Sequence, residues 1–322
     1  MALTRFLIRR ILSGILVLWI VSLSAFLLFF LRPIDTVARE LGGKTATGAQ
    51  LAVITKTLGL SQPIYVQYWQ FVYKLLRHGN FGFSYVDGES VRSILGQDLP
   101  RTASLVVGGA LLWLIVGLSV GILSAIRARS FFDRFATFGV LTGISMPTFV
   151  LGQLLLLAIF LPLNEHGFTW ITDTYQGLST GVVPWLGYFI LPWITLATVQ
   201  AAIYTRLSRG SLIDTLGEDY IRTARAKGLT ERRVIYRHGL RAALTPVVSQ
   251  LGIDVGGFLG GVVVTESVFN VGGIGQDSVQ AIATGNLPVI LGFVLIAALF
   301  VVVANIVVDM VYAVLDPRVR IS

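Results

Sequence analysis

Long apolar stretches separated by short polar segments dominate this chain. Each stretch is comparable to or longer than the roughly 20 residues that an α-helix needs to cross the hydrocarbon core of a bilayer. The apolar stretches cover residues 11–31, 102–126, 135–161, 184–205, 242–265 and 288–315. This pattern predicts an all-α integral membrane protein with six transmembrane helices.

The first apolar stretch differs from a cleaved signal peptide, although Arg5, Arg9 and Arg10 precede it. A signal peptide has an apolar core of about 7–15 residues, followed by a small-residue cleavage site. Here the apolar residues continue to position 31 and end at Arg32-Pro33. We therefore expect a retained membrane helix.

Two prolines lie inside later stretches, Pro147 in the third and Pro192 in the fourth. Proline removes a backbone hydrogen bond and clashes with the preceding helical turn. We expect a kink in the helix at each of these positions.

The longest polar region, residues 32–101, carries helix signals of its own. Thr47 and Gln50 have the spacing of a capping box, and Gly59 and Gly79 each follow a helical pattern as a stop signal. The second of these two helices is amphipathic. Its apolar positions are Ile64, Tyr65, Tyr68, Val72, Leu75 and Leu76. We expect a small helical cap after the first membrane helix.

The order of these segments predicts four parts of the chain. They are an N-terminal transmembrane helix (1–31), the helical cap (32–101), a five-helix core with a polar loop at 209–241 (102–315) and a tail (316–322).

Positive charge is distributed unevenly between the predicted sides of the membrane. Of the 25 Lys and Arg residues, 8 lie within residues 32–101 and 17 lie in the N-terminus, the loop after the second stretch, the polar loop and the tail. The short loops 162–183 and 266–287 contain none. Because positive charge collects in short cytoplasmic loops, we expect both termini and the polar loop in the cytoplasm and the cap outside.

Composition supports a membrane protein and excludes several other classes. The chain is 54% hydrophobic and 13% charged, with a net charge of +8, whereas soluble domains are about 25% charged. It has no cysteine, which excludes disulfides and thiolate metal sites. No segment combines a basic patch with aromatic residues in the way that nucleic-acid binding requires. We therefore expect the chain to lie in a lipid membrane and to bind no nucleic acid.

Residues 216–246, which include most of the polar loop and the first residues of the fifth stretch, have the pattern of a short helix followed by a second helix. Glu218 and Asp219 precede Arg225 and Lys227, so both charge signs favour the helix dipole. Gly228 follows where a left-handed C-terminal residue is expected. After it, Thr230 can cap the second helix, with Glu231 in its first turn. The alternative is an ordinary basic loop beside the membrane.

The sequence Asp-Tyr-Ile-Arg-Thr-Ala-Arg-Ala-Lys-Gly-Leu in this segment resembles the cytoplasmic EAA loop of ABC importer permeases. It is most similar to the B-type subunits of the oligopeptide, dipeptide and nickel permease family. Ala224 and Gly228 match the second alanine and the glycine of the loop, whereas Arg222 and Thr223 replace its glutamate and first alanine. The motifs Leu-Gly-Leu-Ser-Gln-Pro at 58–63 and Gly-Asn-Phe-Gly-Phe-Ser at 79–84 extend the resemblance to the N-terminal region.

The resemblance implies a coupling helix that fits a cleft on an ATP-hydrolysing subunit. Tyr220, Ile221 and Ala224 are expected along one helical face, with the small Ala224 permitting close approach to that cleft. The implied coupling residues are Glu218, Asp219, Tyr220, Ile221, Arg222, Thr223, Ala224, Arg225, Ala226, Lys227 and Gly228.

The family resemblance also implies the partners and location of the chain. They are a second, different permease subunit, two ATP-binding subunits and an extracytoplasmic substrate-binding protein, assembled in the cell membrane. The partner ATPases use ATP and magnesium, and this chain is expected to bind no cofactor or metal and to catalyse no reaction. Peptides are the expected substrates, with nickel complexes and glutathione-like solutes as alternatives.

Asp254, Gly257 and Glu266 are candidate residues of a translocation path. Intramembrane carboxylates usually face protein or water, so Asp254 lies near the path, forms a hydrogen bond to a neighbouring helix, or is a protonated acid. Gly257 belongs to small-residue pairs that permit close helix packing, and packing is the favoured interpretation. Glu266 matches a sequence that recurs in the family at the outer end of this span.

Two other classes of protein are possible from the residues alone. An ion-coupled secondary transporter predicts inverted repeats and several paired intramembrane charges. A membrane-embedded enzyme predicts a catalytic constellation. The sequence shows no repeat, no metalloprotease motif, no nucleophile elbow and no complete phosphate-binding loop.

Overall fold

The computed structural model describes residues 2–31, 47–84 and 86–315, which form α-helices and a small β-hairpin. The first helices are α1 (Ala2–Phe30), α2 (Gly48–Leu58), α3 (Ile64–His78), α4 (Val91–Ile126) and α5 (Phe131–Ser145). They are followed by α6 (Thr148–Glu165), α7 (Val182–Leu216), α8 (Asp219–Ala226), α9 (Leu240–Phe269), α10 (Ile274–Thr284) and α11 (Leu287–Leu315). The predicted cap residues 32–46 and the tail 316–322 lie outside the described residues.

Within this described part, five helical segments are long and apolar enough to cross a membrane. They are Ile8–Phe30, Val91–Ile126, Thr148–Glu165, Val182–Leu216 and Leu287–Met310. The protein is thus mostly helical and multi-pass, and the number of six spans stays a prediction.

The third predicted stretch is not one kinked helix. α5 ends at Ser145, and α6 begins at Thr148 after an extended Met146. A residue that precedes proline avoids the helical region because of a clash with the proline ring, so Pro147 separates two helices. Along α7, by contrast, the helix continues through Pro192. A π-helical turn at Leu156–Phe160 interrupts the regular hydrogen bonding of α6.

α4 begins at Val91, earlier than the predicted start at residue 102. Its first turns have the composition of a polar loop, because they contain Arg92, Asp98, Pro100 and Arg101. Asp98 is nevertheless only 3% exposed, and the guanidinium of Arg101 donates a 2.8 Å hydrogen bond to the carbonyl of Gly272. Tertiary contacts therefore stabilise a helical start that lacks an apolar pattern.

The cap signals are confirmed where the structure describes them. The Oε1 atom of Gln50 accepts a 2.8 Å hydrogen bond from the backbone N–H of Thr47, at the start of α2. α2 and α3 end at Gly59 and Gly79, both in the left-handed conformation. The expectation of an all-helical cap is incomplete, because Phe83–Ser84 and Glu89–Ser90 pair as an antiparallel hairpin.

The chain divides into two compact units. One contains Met1–Thr102 and Gly272–Ile306, and its main core includes Val91, Leu95 and Phe293. α10 belongs to this unit and was not predicted from the sequence, where residues 266–287 have the composition of a loop. It begins beside Thr102, whose hydroxyl accepts a 2.9 Å hydrogen bond from the backbone N–H of Ile274.

The other unit contains Ala103–Val271 and Val307–Ser322. Its core is rich in large side chains, including Trp113, Phe189, Trp193 and Tyr204. α4 and α7 approach closely at Gly108, where an added Cβ would overlap the indole ring of Trp193. The unit also contains the polar loop in which α8 lies.

Candidate coupling surface

α8 is a short helix whose two ends carry the predicted signals. Glu218 takes the extended N-cap conformation, and Asp219 lies in the first turn. Arg225 lies in the last turn. Gly228 has φ of +76°, the left-handed conformation that favours glycine. The segment thus forms a short helix followed by a left-handed glycine, and an added Cβ at Gly228 would meet no atom within 4 Å.

The inner face of α8 is packed against the rest of the same loop. Ile221 is fully buried, Ala224 is 8% exposed, and both pack in a cluster with Val234. In this conformation Ile221 and Ala224 face the loop of the chain itself, and their part in coupling stays a prediction. The apolar side chains turn inward because that removes their surface from water, and the small Ala224 permits a close approach to the protein's own loop.

A bidentate ion pair ties the end of α8 to the segment that follows. The guanidinium of Arg225 donates hydrogen bonds of 3.1 Å and 2.7 Å to the carboxylate of Glu231, and a third of 3.3 Å to the carbonyl of Leu216. The Arg225 guanidinium lowers the pKa of Glu231 below its ordinary value. The pair closes over the turn at Gly228. Thr230 takes the N-cap position of the next helical turn, but its side chain accepts no cap hydrogen bond.

The outer face of α8 is exposed. Tyr220 is 47% exposed. Partial burial, and secondarily the charge of Glu218, raise the pKa of Tyr220 above its ordinary value. Arg222 and Asp219 form a 3.2 Å ion pair on the surface. The remaining exposed positions of the predicted set are Glu218, Thr223, Ala226, Lys227 and Gly228.

Asp254 lies in α9 beside two polar side chains. The side-chain amide of Gln250 donates a 2.8 Å hydrogen bond to Oδ1 of Asp254. The Tyr204 hydroxyl lies near the same carboxyl group, although neither that hydroxyl nor Oδ2 of Asp254 makes a hydrogen bond of ordinary geometry among the described residues. The structure thus brings together three polar side chains, one from α7 and two from α9.

The other two candidate residues of the translocation path are Glu266 and Gly257. The structure describes no contact of either residue with Asp254. Glu266 is fully buried near the end of α9, where its carbonyl accepts a 3.0 Å hydrogen bond from the backbone N–H of Val271. Gly257 lies within α9, and its surroundings fall outside what the structure describes.

A buried polar cluster that the apolar pattern of the sequence does not indicate lies at the beginning of α5, around Asp133. Asp133 is 4% exposed and accepts hydrogen bonds from Arg209, Ser124 and the backbone N–H of Arg129. The Arg209 guanidinium holds the pKa of Asp133 well below its ordinary range, against the opposing effect of burial. The capping signal of Ser130, whose hydroxyl accepts from the backbone N–H of Asp133 at 3.2 Å, would have located this helix start.

The other compact unit contains an acidic cavity of about 220 Å³ that the sequence also did not reveal. Asp87, Glu89, Asp277 and Asn286 contribute to its lining. Burial raises the pKa of Asp277 above its ordinary value, opposed by Asp98 and Arg101. Within the described residues no group of three or more metal-ligating side chains could hold a metal ion.

Comparison with known proteins agrees with this architecture. Residues 117–321 match the family described as binding-protein-dependent transport system inner membrane component. Residues 3–106 match the N-terminal domain of such membrane components. These matches define the class as a multi-pass permease of the inner membrane.

Two relatives are similar to almost the whole chain. A probable peptide ABC transporter permease of Sinorhizobium fredii is 40% identical over 98% of this chain and 99% of its own length. A glutathione transport system permease of Escherichia coli K12 is 35% identical over 98% of both chains. The chain belongs to the binding-protein-dependent permease family: it is a membrane permease subunit of an ABC importer, within the peptide and nickel permease group.

Proposed function

We propose that α8 is the helix that couples this permease to an ATP-hydrolysing subunit. The observation that carries the proposal is its two-sided construction. Ile221 and Ala224 anchor one face inside the protein, while Tyr220, Arg222 and Thr223 are exposed on the other. A short helix held in this way can be pushed as a unit, because its inner contacts transmit the displacement to the loop behind it.

Two features hold α8 firmly to the segment that follows it, as a flexible basic loop would not be held. Arg225 and Glu231 bridge the turn that follows the helix. Val234 joins the apolar cluster under α8 and begins the π-helical turn Val234–Gly239, which leads directly into α9. A displacement of the exposed face of α8 is therefore transmitted through packed side chains to α9.

The proposed role of α8 and the family of the chain together suggest the composition of the complete transporter. The chain supplies half of a pathway with six membrane spans and both termini in the cytoplasm. A second, different permease subunit supplies the other half, and an extracytoplasmic protein delivers substrate to the cap side. Two ATP-binding subunits use ATP and magnesium, and their closure drives alternating access.

Peptides are the proposed substrates, since a relative at 40% identity is named as a probable peptide permease. Glutathione-like solutes are the second candidate, because another relative is named as a glutathione permease. Both ligands are peptides in chemistry, whereas the nickel alternative has no such support here. Asp254 and Gly257 are proposed to lie near the translocation path, with Glu266 buried at the end of the same helix.

The test of coupling is a bulky substitution on the exposed face. Thr223→Trp should reduce co-purification of the ATP-binding subunits with a tagged permease, because Thr223 is exposed on α8. Thr142→Trp is the matched control: both threonines are exposed, and each bonds through its hydroxyl to the carbonyl four residues earlier. Equal recovery of ATPase with both variants would contradict the proposal.

The test of substrate is uptake by the reconstituted importer with its binding protein. Labelled peptides of different length, glutathione and a nickel complex are supplied separately. We expect ATP-dependent uptake of the peptides or glutathione. Uptake of nickel alone would overturn the substrate assignment without affecting the coupling proposal.

A further inference from the structure

An apolar groove lies between α4, α5 and α7, and none of its lining residues belongs to α8. Its volume is about 410 Å³. Its walls include Val116 and Val120 from α4, Gly139 from α5 and Ala201 from α7. On α5 the lining positions run from Phe132 to Val140, and on α7 from Ile194 to Thr205. At a rise of about 1.5 Å per residue, the groove is about 12–16 Å long.

This length and polarity match half of a bilayer. The hydrocarbon core of a membrane is about 30 Å thick, so one leaflet supplies chains of about half that thickness. Two of the three walls, α4 and α7, are segments long and apolar enough to cross a membrane, so an apolar groove at this depth suits an acyl chain. Phe135, which lines the groove, is 67% exposed.

The polar cluster around Asp133 lies one helical turn beyond the groove on two of its walls. Ser124 follows the lining residue Val120 by four positions, and Arg209 follows Thr205 by four. Asp133 lies at the same end of α5. Since residues four apart share a helical face, the apolar groove ends at the network that Asp133 forms with Ser124 and Arg209.

Three arginines lie at that end of α4 and α5, two in the loop between the helices and one near the start of α5. Arg127, Arg129 and Arg134 are exposed, and their guanidinium groups make no ion pair with a described residue. The charge of Asp133 is already matched by Arg209. The backbone N–H of Arg129 donates to Asp133 at 2.8 Å, which holds this residue at a left-handed φ of 65°. The arginine loop is thus fixed in place beside an apolar groove.

We propose that this groove binds one anionic phospholipid. An acyl chain lies against Val116, Gly139 and Ala201, and the phosphate-bearing headgroup binds the exposed guanidinium groups of Arg129 and Arg134. Guanidinium groups suit this role because they form bidentate hydrogen bonds to phosphate oxygens. An uncharged or zwitterionic headgroup leaves the positive charge of this loop unbalanced, so the site selects for negative charge.

The experiment is native mass spectrometry of the intact importer, purified with equal amounts of phosphatidylglycerol and phosphatidylcholine. The expected result is one retained phosphatidylglycerol per copy of this chain. Gly139→Leu should remove it, because an added Cβ there meets no protein atom within 4 Å and the side chain can fill the groove. Gly96→Leu is the control, since Gly96 is an equally open helical glycine outside the groove.

The charge of the site is tested separately. Arg129→Gln with Arg134→Gln should lower the affinity for phosphatidylglycerol roughly five-fold for each arginine, as expected for basic residues at an anionic membrane surface, and retention of the lipid should fall with it. Arg232→Gln with Arg233→Gln removes two other exposed arginines and should leave occupancy unchanged. Equal retention of both lipids, or unchanged retention in Gly139→Leu, would overturn the proposal.

A helix of the second permease subunit is the competing occupant. The chain has no cysteine, so Gly139→Cys gives a single thiol in this subunit. Cross-linking of that thiol to the second permease, together with no retained lipid, would show a subunit interface and refute the lipid site.

Discussion

Arg209 holds the carboxylate of Asp133 with two hydrogen bonds, 2.6 Å from Nε to Oδ1 and 2.8 Å from Nη2 to Oδ2. The pair joins the beginning of α5 to α7, and the side chain of Arg209 is 32% exposed while that of Asp133 is 6% exposed. A buried carboxylate without such a partner would be costly. The pair therefore fixes how two neighbouring helices meet.

Asp133→Asn should destabilise the protein. It removes the charge that matches Arg209, and breaking one side of a buried ion pair costs about 3–5 kcal/mol. The partial exposure of Arg209 places the effect at the lower end. Thermal unfolding in detergent measures it, with Asp214→Asn on the exposed surface of α7 as the control. A melting temperature equal to that of the control would show that the pair contributes nothing.

Two glycines of α4 should respond in opposite directions to alanine. Gly108→Ala forces a Cβ into the indole ring of Trp193, so the helices must separate and stability falls. Gly96→Ala meets no neighbour and should stabilise the helix by up to about 1 kcal/mol, the propensity difference between the residues. The same unfolding measurement compares them. A destabilised Gly96→Ala with an unaffected Gly108→Ala would contradict the packing described here.

Local signals predicted much of the helical framework. Thr47, Gly59, Gly79 and Gly228 end or begin helices where the sequence indicated, because caps and left-handed glycines depend on neighbouring residues alone. The break at Pro147 follows from equally local chemistry, although a kink was expected in place of a separation into two helices.

Features that depend on distant residues were not predictable. α4 begins at Val91 because Asp98 and Arg101 are accommodated by tertiary contacts rather than by an apolar pattern. α10 begins against Thr102, 172 positions away from Ile274. The inward orientation of Ala224 depends on Val234 and Leu229 folding beneath it. No periodicity within α8 distinguishes a face that packs internally from one that meets a partner.

Membrane topology is a separate prediction. Reporter fusions after Gly79 and Gly167 should report an outside location, and fusions after Ser130 and Gly228 a cytoplasmic one. The reason is the charge asymmetry between loops. Alkaline phosphatase and fluorescent protein fusions measure the two sides. A cytoplasmic signal from the Gly79 fusion would contradict both the assigned orientation and an outer role for the cap.

The translocation path is testable by accessibility, since the natural chain has no cysteine. Asp254→Cys and Gly257→Cys should react with a water-soluble thiol reagent during transport, and substrate should slow the reaction. Val262→Cys is the control, because Val262 is 1% exposed in the core of the same unit. If the cysteines at positions 254 and 257 react as slowly with the reagent as the cysteine at position 262, both positions are packed between helices and do not line the path.

The turn at Gly228 is the most direct point at which to test coupling. A non-glycine residue at its positive φ costs about 1–2 kcal/mol, and asparagine tolerates this conformation better than a β-branched residue does. Gly228→Val should therefore strain the end of α8, whereas Gly228→Asn should not. Neither side chain meets a neighbour at its Cβ, so steric overlap does not confuse the comparison.

The deciding measurement is the number of ATP molecules hydrolysed per substrate molecule imported, in vesicles containing the complete importer and its binding protein. We expect this ratio to rise several-fold in Gly228→Val, or ATPase association to be lost, while Gly228→Asn behaves like the parent. If Gly228→Val assembles, hydrolyses ATP and transports with the parental ratio, the segment around α8 is an ordinary basic loop and does not couple the two activities.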